Sequence, residues 1–268
     1  MLRREKLFEK WTQRKEKLFA AYLRIEGAWV REEVLRREFG VKAADAELFD
    51  EWFRQALSCG VSREQQIRET AYHEAGHAVI AELLLPGTVV RAVLFWGTGR
   101  RDETGGTEHD AEKLNRFGYG EQDLPLSLSI RYMARFLAGG FFQLRLGGSS
   151  PVRAHNEARG DQQNILSLLD DHRLNFPDHR RCRKSANDML SRLGSHDRVC
   201  RAVEVVAQVL IRDRQISGER TREIIAIEIG SIETLLSSLG IPFWGDPAQV
   251  GNGDLTLGPG LGSTAKAA

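Results

Sequence analysis

Cysteine is scarce in this chain: there are three in 268 residues, Cys59, Cys182 and Cys200, an odd number set far apart. That excludes a disulfide framework and a paired-cysteine metal site, and it suits a reducing compartment. We read all three as buried structural thiols. Net charge is nearly absent too, with 38 Lys and Arg against 37 Asp and Glu. Nothing therefore marks a bulk nucleic-acid binder or a membrane-surface protein. No apolar run approaches the ~18 to 20 residues of a membrane span. The start, Met-Leu-Arg-Arg-Glu-Lys, carries charge throughout and is no signal peptide. These features lead us to expect a cytoplasmic protein. A Gly-x-x-x-x-Gly-Lys-Ser/Thr loop to cradle phosphates is also missing from these residues.

What is present is 41% hydrophobic residues, enough for one large core or two small ones. Residues 1–58 read as a small, charge-rich helical subdomain. Leu7, Trp11, Leu18 and Tyr22 fall on one stripe, and Leu48, Phe49, Trp52, Phe53 and Leu57 suggest a second helix. The subdomain packs on the rest of the chain or offers an adaptor surface to a partner; a helix-turn-helix over 31–57 is the minor alternative. A second unit spans 59–243, and the Gly-, Pro- and Ser-rich residues 244–268 read as a disordered tail. Within the second unit, Ser62 with Gln65 predicts a capped, amphipathic helix that stops at Pro86-Gly87. TVVRAVLFW (88–96) predicts a strand, and 97–106 a glycine-bearing turn within a short hairpin or meander. Further helices are expected at about 124–146, 161–171, 185–193, 196–213 and 218–239, with a loop of about a dozen residues before Asp161. The fold class is mostly α with a small β element.

The first of these helices carries TAYHEAGHAV (70–79), a His-Glu-x-x-His pattern. Residues i and i+4 share a helix face, so His73 and His77 can offer two imidazole nitrogens to one Zn2+. Glu74 points at a neighbouring angle, where it reaches the metal's water rather than the metal. Zinc lowers the pKa of its water to about 7, and a glutamate so placed takes the proton as a peptide carbonyl is attacked. The surrounding Ala71, Ala75, Gly76 and Ala78 would let another helix approach closely.

SREQQIRETAYHEAGHAVIAELL resembles the start of the peptidase domain of FtsH-type ATP-dependent zinc metallopeptidases. VVRAVLFWG is similar to the family's first strand after that helix, TGGTEH to its glycine-bearing turn into the next strand, and IRYMARFLAGGFFQLRLGG to its helix ending in Gly-Gly. RAVEVVAQVLIRDRQISGERTREI looks like its late helices, so the likeness covers about residues 62–230. It implies an FtsH-peptidase-like helical domain, a zinc-dependent endopeptidase activity and a homo-oligomer, since such domains form six-membered rings. The departures are the missing ATPase module and anchor, and HNEARGD in place of the family's Thr-Gly-Ala stretch. A stand-alone zinc metalloendopeptidase acting on unfolded or extended protein or peptide substrates is therefore expected, with room for a separate unfoldase partner. The alternative is a non-catalytic relative that binds partners through its helices.

Catalytic zinc sites use three protein ligands and water. Glu157, Asp161, Asp170 and Asp171 are the realistic carboxylates for the third. Asp161 follows Gly160 and opens a helix, a rigid place for a short side chain, and it matches the position of the family's ligand aspartate. Glu157 is the alternative. His155, in the preceding loop, is a candidate for stabilising an oxyanion. His109, His172, His179 and His196 read as solvated surface residues. HRRCRK (179–184) reads as a solvated basic patch rather than a nucleic-acid site, lacking interleaved aromatics. The 88–96 strand could offer an edge for substrate pairing.

Overall fold

The computed structural model describes residues 3–24, 36, 37, 39–95, 104–118, 125–171 and 176–243. The expected tail at 244–268 and His172 lie outside them, as does part of the 31–57 stretch. Among the described residues the chain is mostly helical, with one small three-stranded antiparallel sheet.

At the centre is α4 (Arg63–Leu84), which carries the His-Glu-x-x-His pattern. Ser62 starts it by accepting a hydrogen bond from the Gln65 backbone N–H at 3.1 Å. Only half of the expected capping box forms, because the Gln65 side chain turns instead to Glu69 (2.9 Å) and the Gly147 carbonyl (3.2 Å). From Glu69 to Leu84 every residue is buried, so beyond its solvent-facing start at 63–68 α4 is enclosed on all sides rather than amphipathic as expected. After a short α5 (Ala111–Arg116), the helix α6 (Leu126–Arg145) crosses α4 at Gly76, where a Cβ would lie 2.7 Å from the Ala138 carbonyl oxygen. Small residues do admit a close neighbour there. Buried Glu82 ends α4 by accepting from the Gly87 and Val89 N–H groups at 2.7 and 3.0 Å, with Arg222 as its counter-charge at 3.1 Å.

The chain then enters β1 (Val89–Phe95), which pairs antiparallel with β2 (Thr104–His109), as a hairpin requires. On its other side β1 pairs with β3 (Gln215–Ser217), giving the order β2-β1-β3. Two expectations are corrected here. TGGTEH, expected as a turn into the next strand, lies wholly within that strand, β2, and β1 is the central strand of the described sheet, so it offers no edge for substrate.

The stretch expected to be a loop before Asp161 is helical. Ser150 caps α7 (Pro151–Glu157), whose N-terminal proline suits a first helical turn. It runs almost directly into α8 (Arg159–Asp171). Helices α9 (Phe176–Gly194) and α10 (Asp197–Asp213) come next. The long helix expected over 218–239 is split into α11 (Gly218–Glu228) and α12 (Ile232–Ser238) by Gly230, whose φ of +78° favours glycine.

The first residues form α1 (Arg3–Thr12) and α2 (Lys15–Arg24), broken at 13–14, and then α3 (Ala46–Ser58). Trp11, Leu18, Tyr22, Phe49, Trp52, Phe53 and Leu57 bury a cluster of their own, which Val152 of α7 also joins. Arg153 of α7 is the polar link. Its guanidinium holds buried Glu69 of α4 (Nε to Oε2, 2.9 Å) and donates to the Leu57 carbonyl at 3.0 Å.

Of the thiols, Cys182 is fully buried, and burial pushes its pKa up to about 12. Cys200 is half-buried and Cys59 is exposed, so the expectation of three buried thiols holds for one.

Candidate metal centre

His73 and His77 sit one turn apart on α4, each only 7% exposed. Their Nε2 atoms are 3.0 Å apart, and Asp161 Oδ2 lies 3.1 Å from the first and 3.2 Å from the second. Asp161 arrives from the first turn of α8. Ligand atoms 2.0–2.1 Å from a tetrahedral zinc lie roughly 3.3–3.4 Å from one another. The three atoms thus form a face close to the right size for that ion. Among the described residues, these are the three His, Cys or carboxylate side chains grouped so that they could hold a metal.

The outer partners suit the same purpose. His73 Nδ1 lies 2.9 Å from Gln143 Oε1, and His77 Nδ1 lies 2.8 Å from the Arg135 carbonyl oxygen. A carbonyl oxygen only accepts, so each Nδ1 carries the hydrogen and each Nε2 is left for the shared point. Gln143 is oriented by its own amide, which donates to Ser149 and to Glu157.

Burial opposes charge on His73, but its hydrogen bond to Asp161 and the charges of Glu74 and Asp161 raise its pKa to about 9. Burial likewise opposes ionisation of Asp161, yet the two histidines hold its carboxyl well below the usual carboxylate range. The pocket favours a cation held between a carboxylate and two imidazoles.

Glu74 lies beside this triangle on α4. Thr107 of β2 donates to its Oε2 at 2.8 Å. Gly105, two residues earlier on the same face of β2, packs so tightly that a Cβ there would be 2.5 Å from Glu74 Cγ. A second glycine guards the ligands: a Cβ on Gly139 of α6 would come within 2.3 Å of His77 Nε2 and 2.5 Å of His73 Nε2. Gly139→Ala should therefore keep the helix but weaken zinc binding by more than tenfold, read by competition with a chromophoric chelator. Wild-type affinity in that variant would contradict the crowding described.

These groups open on a cleft of about 430 Å³, lined also by Gly106, His109, Arg135, Phe136, Glu157 and Asn164. All four residues expected at the site, His73, Glu74, His77 and Asp161, meet here. Glu157 stays at the rim, bonded to Gln143 and outside the triangle. Burial pushes its pKa up to about 7, although 34% of its side chain still meets solvent. Asp170 and Asp171 fall at the far end of α8.

Several histidines need correction. His155 does not line the cleft; it packs edge-on against Tyr22, with ring centroids 5.5 Å apart, and lies 3.4 Å from Gln162. His109 does line it, where a solvated surface position is expected from sequence. His179 and His196 are half-buried. Gln143, Thr107, Gly105 and Gly139 do not stand out in the sequence. The one local signal is the Gly139-Gly140 pair within a helix, where each glycine costs about 1 kcal/mol relative to alanine and so asks for a reason. No family model matches this chain, and no match to it was found among curated proteins.

Proposed function

We propose that this protein is a zinc-dependent endopeptidase of the FtsH peptidase type, acting in the cytoplasm on unfolded or extended polypeptides. The observation that carries this is the His73–His77–Asp161 triangle with Glu74 fixed at its side. A bound zinc would supply an acidified water and a positive charge beside the scissile carbonyl. Glu74, held by Thr107, is placed to take the proton from that water and deliver it to the leaving amine nitrogen. His73 and His77, fixed through their Nδ1 hydrogens, would hold the ion, and Asp161 would offset its charge.

The strand available to an extended substrate is β2, the outer neighbour of β1 on the cleft side. Gly105 and Gly106 put no side chain on this stretch of β2 along the cleft, so a peptide pairing with its edge is read by its main chain and not by side-chain pockets. A homo-oligomer and a separate unfoldase partner belong to the same proposal through the family resemblance.

Since these residues hold no phosphate loop, casein should be cleaved without nucleotide, while tightly folded proteins resist. Chelation should stop cleavage and added zinc restore it. A chelator-insensitive activity, or none in the zinc-loaded protein, would remove the proposal.

A further inference from the structure

We propose that Phe95 reads one side chain of the substrate at the mouth of the cleft and favours a bulky apolar residue there, an inference that rests on the peptidase reading. It adds one side-chain contact to the main-chain pairing along β2. Side chains alternate along a strand, and β2 shows which face is which. Gly105 packs on Glu74, and Thr107 bonds to it, so both face inward. Glu108 points outward, into a paired contact with exposed Arg91 of β1 at 2.8 Å. Gly106 shares that outward face with Glu108, and Phe95 shares it with Arg91.

The register sets Phe95 opposite Thr104 and diagonal to Gly106. Aromatic side chains can span such a diagonal. This ring does: its Cε2 lies 3.4 Å from where a Cβ of Gly106 would stand. It therefore covers the bare outward face of a residue that lines the cleft, while Phe95 itself stands one strand behind the lining. Phe95 is 51% exposed, the only aromatic among the exposed large hydrophobic side chains of the described residues. A lone exposed apolar side chain needs no partner. What singles out Phe95 is its place. A peptide adding to the outer edge of β2 would run about 4.8 Å beyond Gly106. Its residue opposite Gly106 would point outward, and glycine puts no side chain between that residue and the ring. The residues on either side of it would point inward, toward Glu74. One outward side chain close to the reacting bond thus meets an aromatic face, and a bulky apolar group there removes water from both surfaces.

The test begins with casein fragments made by the zinc-loaded protein. Mass spectrometry of their ends should show one position near the cut that is enriched in Phe, Tyr, Leu and Ile. Unstructured peptides that differ only there, carrying Phe, Gly or Glu, are then compared. For the wild type, kcat/KM should be about three- to tenfold higher for the Phe peptide than for the Gly peptide, the range of a cross-strand aromatic contact. The difference should lie in KM, because the contact is made before and during reaction alike. Phe95→Ala should bring that ratio to near unity. Phe95→Lys should make the Glu peptide the best of the three, a gain that misfolding does not produce. A wild-type digest with no such position, an unchanged Phe-to-Gly ratio in Phe95→Ala, or equal losses on all three peptides would overturn the role of Phe95 alone. A zinc-loaded wild type that cleaves nothing would overturn the peptidase reading and this inference with it.

Discussion

Glu74→Gln is expected to bind zinc as the wild type does, fold normally, and hydrolyse casein at least 10² to 10⁴ times more slowly. The substitution is nearly isosteric, so its amide carbonyl can still accept from Thr107, and the packing against Gly105 is unchanged. His73, His77 and Asp161 keep their geometry, because none of their hydrogen bonds runs through the Glu74 carboxylate. What is lost is the base: a neutral amide cannot take a proton from water. Kinetics beside metal analysis separate this outcome from unfolding. Full activity in a zinc-loaded Glu74→Gln protein would eliminate the mechanism.

The second large effect is expected at the ligand furthest away in sequence. Asp161→Ala removes one corner of the triangle and the charge that makes the pocket favour a cation. Losing an outer-sphere partner of a zinc ligand typically costs 10- to 100-fold in metal affinity. Losing Asp161 itself should cost at least that much. Glu157→Ala, which affects the ligands only through Gln143 and His73, should stay within about tenfold of wild type. Zinc titration of the two variants side by side decides between the two carboxylates. Release of metal by Glu157→Ala alone would reassign the third ligand.

How much of the fold and the site is legible in the sequence depends on the distance over which each feature is determined. The motif helix rests on local rules, a serine cap at Ser62 and a four-residue histidine spacing, and both are readable. Asp161 is within reach because a helix start is also a local signal. The α7 segment reads as a loop since Pro151 and Gly160 bracket it, although Ser150 caps it and proline suits its first turn. The strand β3 is three residues long and forms through pairing with β1, more than a hundred residues earlier. No pattern within Gln215–Ser217 can announce that pairing, and for the same reason β1 cannot be recognised as the central strand. His109 and His155 exchange roles between sequence and structure because which histidine faces the cleft depends on the tertiary arrangement. The inward face of β2 is fixed by its packing on α4, and Tyr22 of α2 occupies the side of His155. Gln143 looks like any helical polar residue until α6 lies beside α4 and brings its amide to His73.

The central claim is that a metal joins His73, His77 and Asp161, and X-ray absorption at the zinc edge of the purified protein tests it most directly. One zinc per chain is expected, with only nitrogen and oxygen neighbours at about 2.0–2.1 Å and imidazole scattering equivalent to two histidines. In His73→Ala or His77→Ala the imidazole signal should halve or the metal should leave. A substoichiometric metal content, or a sulfur shell near 2.3 Å, would contradict the proposed centre.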